Sequence, residues 1–405
     1  MNKRMANDRL KAVQRWVYVV FGILIMMCLG TVYSYSIFRT PVEELFHAGT
    51  TKSGFPYMTA LAFYSIFMFL TGRFLDRYKP RNIILVGCVL VALGWILSMY
   101  APNIYILTLT YGLIGGSGVG IVYGAPMTVV ARWFPEKKGL TVGFVLVGFG
   151  LSPLVTAPLA GRLIEAYGLR RTFFIIGIAF LFLIPLLSIP FRYPSDEEES
   201  LFMQKARKGS NEADLDTRTM VKTKSFKGLY SCFILGSMIG LMLVGMTSSV
   251  GKELIGLSAK EVAGLVSIFA ILNGIGRPAF GYITDKISVK RAMLLSYVLI
   301  VTASILMLFA NQGSKLLFVI AFVIFWFNLG GWLAIAPAAT LSMYGVHHYS
   351  QNYGVVFTAY GIAAVVGVST SGIIIDYFKH YHYVFYFIIV MCTIGIVLSR
   401  CLFRE

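Results

Sequence analysis

One residue in this chain carries a charge where no water is expected. Arg277 lies in the run Ala270-Ile271-Leu272-Asn273-Gly274-Ile275-Gly276-Arg277-Pro278, which is otherwise apolar or small except for Asn273. A guanidinium keeps its proton at any relevant pH and offers a planar fork of N–H donors that matches a carboxylate. Holding such a cation at bilayer depth costs roughly 2.5–3.5 kcal/mol even on lenient scales, so residues of this kind usually face a cavity and serve a function. Of 35 lysines and arginines, 25 fall in one alternating set of polar segments and nine in the other, leaving Arg277 alone inside a span. All 18 acidic residues, and His47, His347, His348, His380 and His382, fall in loops, at termini or at span edges. No carboxylate within the membrane is therefore expected to pair with Arg277. The predicted chemistry is the binding of an anion. The alternatives are a guanidinium tied to helix carbonyls for structure, or one snorkelling along a tilted helix.

Asn273 precedes Arg277 by one turn and shares its helix face. Its amide would orient a carboxylate, hold the guanidinium or bond to a neighbouring helix. Tyr33, Tyr123, Trp332 and Tyr360 fall in four other spans, where they would supply hydroxyl or indole donors and apolar walls, each also open to a plain packing role. Cys28, Cys88, Cys232, Cys392 and Cys401 lie in or at the ends of apolar runs without metal-ligand spacing, as small buried side chains do. No acid–base pair, metal cluster or nucleophile–base spacing falls within a span. No enzyme activity, cofactor or metal is expected.

The elements that must carry these residues follow from composition. Hydrophobic residues make up 57% of the 405 and charged ones 13%, against about 25% charged in ordinary soluble domains. The apolar residues come in runs of about twenty, enough to cross a hydrocarbon core of roughly 30 Å. The spans read as 16–38, 55–71, 83–100, 104–130, 140–163, 173–191, 229–250, 261–283, 292–310, 316–343, 354–376 and 381–400. Each must be helical, because the bilayer offers an amide no other partner. The first run resembles a signal sequence, but eleven more follow and no cleavage site is evident, so it is kept as helix 1. The larger set of basic residues belongs on the cytoplasmic side, which places both termini inside and requires an even number of spans. The formal charge of +17 sits at span ends and so meets anionic lipid, not nucleic acid.

Residues 193–228 form the one long polar stretch, with Asp196, Glu197, Glu198 and Glu199 ahead of Lys205, Arg207 and Lys208, a solvated linker by composition. It separates a first half, 1–192, from a second, 229–405. The halves repeat: Gly72 and Asp76 recur as Gly281 and Asp285 at an offset of 209 residues, and Pro126 recurs as Pro337 at nearly the same offset. Parallel six-helix repeats place a substrate site near the midplane between the halves. The fold class expected is an all-α integral membrane protein, with twelve transmembrane helices in two pseudo-symmetric six-helix halves.

The segment Gly72-Arg73-Phe74-Leu75-Asp76-Arg77-Tyr78-Lys79-Pro80-Arg81 resembles the helix 2–3 signature of the major facilitator superfamily. That resemblance implies a cytoplasmic gate in which Asp76, Arg77 and Arg81 act with Asp285 and Lys286. A narrower likeness is to the oxalate:formate antiporter family and related monocarboxylate transporters. It rests on Val32-Tyr33-Ser34-Tyr35-Ser36, on Gly112, Gly115, Gly116, Gly118 and Gly120 leading to Tyr123 and Pro126, on Arg132-Trp133-Phe134-Pro135-Glu136-Lys137-Lys138-Gly139, and on Asn273-Gly274-Ile275-Gly276-Arg277-Pro278. The helix-11 lysine of the oxalate exchanger is replaced here by Tyr360.

The function expected is secondary active transport of small organic anions, foremost monocarboxylates of the lactate, pyruvate and formate kind. It would proceed by alternating access, as an anion exchanger or a proton-coupled symporter. One cation plus a monoanion is a neutral pair that can be occluded, whereas an empty carrier would close over an unpaired charge. The alternatives are an exchanger of oxalate or other dicarboxylates, or a major facilitator transporter of an unrelated substrate. The partners expected are a small carboxylate and membrane lipid, with the chain a monomer in the cell (inner) membrane.

Overall fold

The structure, a computed structural model, describes residues 15–75, 77–134, 138–195, 198, 215–345 and 348–402, the side chains at 138, 139, 285 and 350 excepted. Amides that cannot reach water pair along their own helix, and among the described residues eleven continuous helical stretches are long and apolar enough to cross a membrane. The first four are α1 (Trp16–Phe46), α2 (Thr50–Thr71), α3 (Pro80–Ser98) and α4 (Ile104–Trp133). The fifth, Lys138–Ser188, runs for 51 residues, or roughly 75 Å at helical rise, which is too long for one crossing. It breaks at Gly168, whose φ of 77° and ψ of 166° belong to a region essentially open to glycine alone. Divided there into α5 (138–167) and α6 (169–188), it brings the count to the expected twelve. The rest are α7 (Lys224–Leu254), α8 (Ala259–Ile287), α9 (Val289–Leu308), α10 (Lys315–Tyr344), α11 (Tyr349–Phe378) and α12 (His382–Leu402).

The helices overrun the hydrophobic spans. Helix α8 continues through Gly281 to Ile287, and Ser288, at φ 99°, is the whole joint to α9. In the first copy of the repeat, α2 ends at Thr71. Helix α1 runs eight residues past the expected end and takes in Arg39, which the hydropathy pattern assigns to an external loop but which is 1% exposed. A polar residue ends a hydropathy run without ending a helix, and that is the source of the difference.

The glycines of α4 let three helices meet by their backbones. A Cβ at Gly116 would stand 2.4 Å from the Ala60 carbonyl oxygen, at Gly118 2.5 Å from the Val91 nitrogen, and at Gly120 2.4 Å from the Tyr64 carbonyl oxygen. The large apolar residues left exposed, such as Phe182, Leu186, Phe309 and Leu316, lie on the outside, as lipid contact requires. Between the first six helices and the last six, α5 packs on α8, α2 on α11 and α1 on α7.

The ends of the polar linker are tied to different helices. The Tyr193 hydroxyl donates to the Leu75 carbonyl at 2.6 Å, and Arg192 stacks over the Trp133 ring. The Arg192 guanidinium also forks onto Glu198 at 2.8 and 3.1 Å and holds its carboxyl down at about 2. That contact is fully present above the ordinary carboxylate range and is lost as pH falls through about 2. At the far end, Leu215 donates its N–H to Tyr344 and accepts from the Asn352 amide at 2.9 Å. Asp196, Glu197, Glu199, Lys205, Arg207 and Lys208 lie outside the described residues.

The span count and the basic asymmetry together make a prediction about sidedness. In a cysteine-free background, cysteine at Arg218 should react with an impermeant thiol reagent only from the cytoplasm, and cysteine at Asn311 only from outside. Reaction of both from one side would defeat the twelve-span topology.

Candidate functional site

Arg277 lies within α8 and is 4% exposed. Its Nη1 donates to the Leu146 carbonyl of α5 at 2.5 Å. Its Nε and Nη2 have no hydrogen-bond partner among the described residues. Those two nitrogens form one edge of the planar group, the pair of parallel donors that a carboxylate accepts side-on. One nitrogen of Arg277 is thus tied to a helix carbonyl, as the structural reading expected, while the Nε–Nη2 edge is unbonded and the Tyr123 hydroxyl lies beside the guanidinium.

Close backbone approach sets this geometry. A Cβ at Gly150 of α5 would stand 2.6 Å from Asn273 Oδ1 and 3.3 Å from Arg277 Nε. On the opposite side of α8, a Cβ at Gly276 would stand 2.1 Å from the Phe327 carbonyl oxygen, and one at Gly330 of α10 2.0 Å from the Asn273 carbonyl oxygen. Helix α8 is wedged between α5 and α10 with no room for a methyl group at these contacts. The Asn273 amide donates to the Trp326 carbonyl of α10 at 3.1 Å, the helix-to-helix bond that was one of its expected roles. Its Oδ1, facing Gly150, is unpartnered among the described residues.

Two of the four expected aromatics, Tyr33 and Tyr123, lie near this charge, and a third, Tyr360, joins them through Tyr33. Tyr33 sits where α1 tightens to a 3₁₀ turn over Gly30–Ser34, a local change often found at hinges and functional positions. Its hydroxyl is hydrogen-bonded to that of Tyr360 on α11, and its ring meets Phe149 edge-on at 5.1 Å. Tyr123 lies edge-on to Tyr64 at 4.9 Å and to Phe149 at 5.4 Å. Phe357 stacks on Tyr360 at 5.0 Å and meets Tyr64 at 5.4 Å. Tyr33, Tyr123 and Tyr353 are within electrostatic reach of Arg277. The result is an aromatic cage with one cation, and no carboxylate bonded to that cation among the described residues.

Trp332 is not brought to the cage. It covers Gly236 of α7, where a Cβ would stand 2.0 Å from its ring, and packs 5.2 Å from Tyr297 of α9. Of the expected gate residues, Arg77, Arg81 and Lys286 are exposed, with Lys286 5.8 Å from the Tyr282 ring. Asp76 and the Asp285 side chain lie outside the described residues, as do Pro135, Glu136 and Lys137.

Sequence reasoning missed Tyr64, Phe149, Tyr353 and Phe357. For two of them a signal existed, since Tyr353, Phe357 and Tyr360 follow i, i+4, i+7 and form one stripe on α11. Nothing in the local sequence distinguishes Phe149 or Gly150 from their neighbours.

The profile of the Major Facilitator Superfamily matches residues 16–368 and 255–405. The oxalate:formate antiporter of Oxalobacter formigenes is 30% identical over 360 residues, spanning 87% of this chain and 83% of that protein. Monocarboxylate transporter 12 of Xenopus laevis is 26% identical over 344 residues, 79% of this chain and 74% of that one. Among solved structures, an inward-facing, occupied bacterial homolog of the human lysosomal transporter Spinster superposes with a TM-score of 0.74. The match covers 95% of this chain and 96% of that one at 13% identity, a likeness of fold alone.

The buried Asn273 amide carries a stability prediction. Asn273→Ala removes the bond to the Trp326 carbonyl, at a cost of roughly 0.5–1.5 kcal/mol, and should lower the melting temperature of the detergent-solubilised protein. An unchanged melting temperature would mean that the α8–α10 bond contributes nothing to the fold.

Proposed function

The chain belongs to the major facilitator superfamily, a family of membrane transporters, and from that premise we propose that it carries small organic anions, foremost monocarboxylates. The observation that carries this reading is the Arg277 fork, a buried cation with its Nε–Nη2 edge unpartnered and its other terminal nitrogen fixed by Leu146. A carboxylate satisfies both open donors at once and neutralises the charge. The names of the relatives agree, one an oxalate:formate antiporter and another a monocarboxylate transporter. In this reading Arg277 anchors the carboxylate and Asn273 holds α8 in register. Tyr33, Tyr123 and Tyr360 supply hydroxyls and, with Tyr64 and Phe357, the apolar wall.

The halves 1–192 and 229–405 rock about this site, joined by the linker 193–228, with both termini in the cytoplasm of a cell membrane. A monoanion on Arg277 makes a neutral pair that can be sealed from both sides. An empty carrier must seal over the two open donors, and that penalty favours exchange of one anion for another. Tyr360 is uncharged, so a dianion would bring one negative charge more than the site balances. Exchange involving oxalate is the second reading, favoured by the 30% identity to an oxalate:formate antiporter.

The test is uptake into proteoliposomes loaded with a panel of unlabelled carboxylates. Arg277→Ala should abolish carboxylate binding and exchange while the protein still inserts. Arg277→Lys should keep part of the binding, because the charge survives without the fork. Loss of a charge-assisted hydrogen bond is worth roughly 1.5–3 kcal/mol, or about one to two decades in affinity. Tyr360→Lys should move preference towards dicarboxylates. Wild-type affinity in Arg277→Ala would overturn the site.

Arg77, Arg81 and Lys286, with Asp76 and Asp285, are assigned to the gate at the cytoplasmic end. Asp76→Asn and Asp285→Asn should slow exchange with little change in affinity, since they alter the balance of states and not the site. Unchanged exchange rates in both variants would remove them from the gate.

A further inference from the structure

The second buried arginine lies at the end of the bundle opposite the basic loops. Arg39, in the overrun of α1, has acceptors on all three nitrogens. Nε donates to Ser53 Oγ at 3.1 Å, Nη2 to the Thr50 carbonyl at 2.7 Å and Nη1 to the Gly245 carbonyl of α7 at 3.0 Å. Glu43, one turn along α1, stands 3.6 Å from Nε and accepts from Ser53 Oγ at 2.5 Å. Asp376, near the end of α11, accepts the backbone N–H groups of Thr50 and Thr51, both at 2.9 Å. The first turn of α2 is therefore gripped from α1, α7 and α11 together.

The surrounding packing is as close as helices allow. A Cβ at Gly372 of α11 would stand 2.5 Å from Thr51 Cα, at Gly54 2.7 Å from Val368, and at Gly245 2.9 Å from the Tyr57 ring. The Tyr35 hydroxyl donates to the Ser53 carbonyl at 2.8 Å, so α1 and the start of α2 form one bonded unit. Against that unit lie polar ties from the last six helices, Gly245 through Arg39 and Asp376 through Thr50 and Thr51, beside weaker contacts of the Tyr57 hydroxyl with the Leu241 carbonyl at 3.4 Å and of Ser369 with the Met58 sulfur.

These two kinds of bond differ in what opening would require. Parting α1 and α2 from α7 and α11 removes one acceptor from Arg39 and two donors from Asp376. It leaves Ser53, Thr50 and Glu43 on the guanidinium, because they travel with it. The charge stays paired in both positions, so the tie can break and reform without stranding a cation in hydrocarbon.

We propose that Arg39 and Asp376 are a two-point latch that closes the bundle at this end, and that Glu43 is the positioning residue that keeps the guanidinium aimed at α7. The closed latch seals the face that the basic asymmetry assigns to the outside, while the cytoplasmic loops carry the other gate. The inference rests on alternating access but not on the identity of the substrate.

The test reads accessibility. Leu241, one turn deeper than Gly245 on α7 and fully buried, is replaced by cysteine in a cysteine-free background. Labelling by an impermeant thiol reagent applied from outside is then timed in proteoliposomes. Arg39→Lys, which keeps the charge but cannot reach three acceptors, and Asp376→Asn should each speed labelling by roughly ten- to a hundredfold, the equilibrium worth of a lost charge-assisted hydrogen bond. Glu43→Gln should speed it less, because it loosens the aim and leaves both ties in place. Should Arg39→Lys not insert, Asp376→Asn alone decides. Unchanged labelling in a correctly inserted Asp376→Asn protein would overturn the latch. Faster labelling without carboxylate exchange by the parent would keep the latch and defeat the substrate reading. Normal exchange with unchanged labelling would do the reverse.

Discussion

A guanidinium in hydrocarbon cannot give up its charge, so every N–H it carries needs an acceptor or a ligand. The geometry around α8 follows from meeting that demand in part. Reaching the Leu146 carbonyl requires α5 to approach α8 at Gly150, and holding α8 in register requires the Asn273–Trp326 bond across to α10. The glycines at 150, 276 and 330 permit both approaches. A methyl group at Gly150 would press on Asn273 and Arg277, and one at Gly276 or Gly330 would meet a backbone carbonyl across the α8–α10 contact.

The two buried arginines solve the same problem in opposite ways. Arg39 has an oxygen acceptor on each of its three nitrogens and a carboxylate 3.6 Å away, as a structural or gating group should. Arg277 is given one carbonyl and left with an open fork beside neutral aromatic rings. No carboxylate of the protein bonds it among the described residues, so no acidic side chain there occupies its open donors. Burial alone would not separate the two residues. The tally of acceptors does.

Much of the fold could be read from the chain because the bilayer imposes one rule, that apolar runs of sufficient length must be helices. The twelve spans and Arg277 come directly from hydropathy and charge. What escaped is what hydropathy does not encode. Arg39 counted as a loop residue because polar residues end a hydrophobic run, although the helix carries on to Phe46 and buries it. Trp332 shared the polar-aromatic character of the cage residues but faces Gly236, since the direction of a buried side chain is set by the neighbours it packs on. Phe149 entered the site through long-range packing, and no local pattern marks it. The stripe Tyr353, Phe357 and Tyr360 was legible in retrospect, as a periodicity hidden in a run that is apolar on every face.

The break at Gly168 gives the first half an elbow with no cord in it. A single residue contributes two soft dihedrals, and those of Gly168 already sit in a narrow glycine-only basin. A loop of several residues would let one helix tilt while its neighbour stood still. Here any change of angle between α5, the helix whose carbonyl holds Arg277, and α6 falls on the two dihedrals of Gly168, so that one position sets how freely the two helices turn about each other.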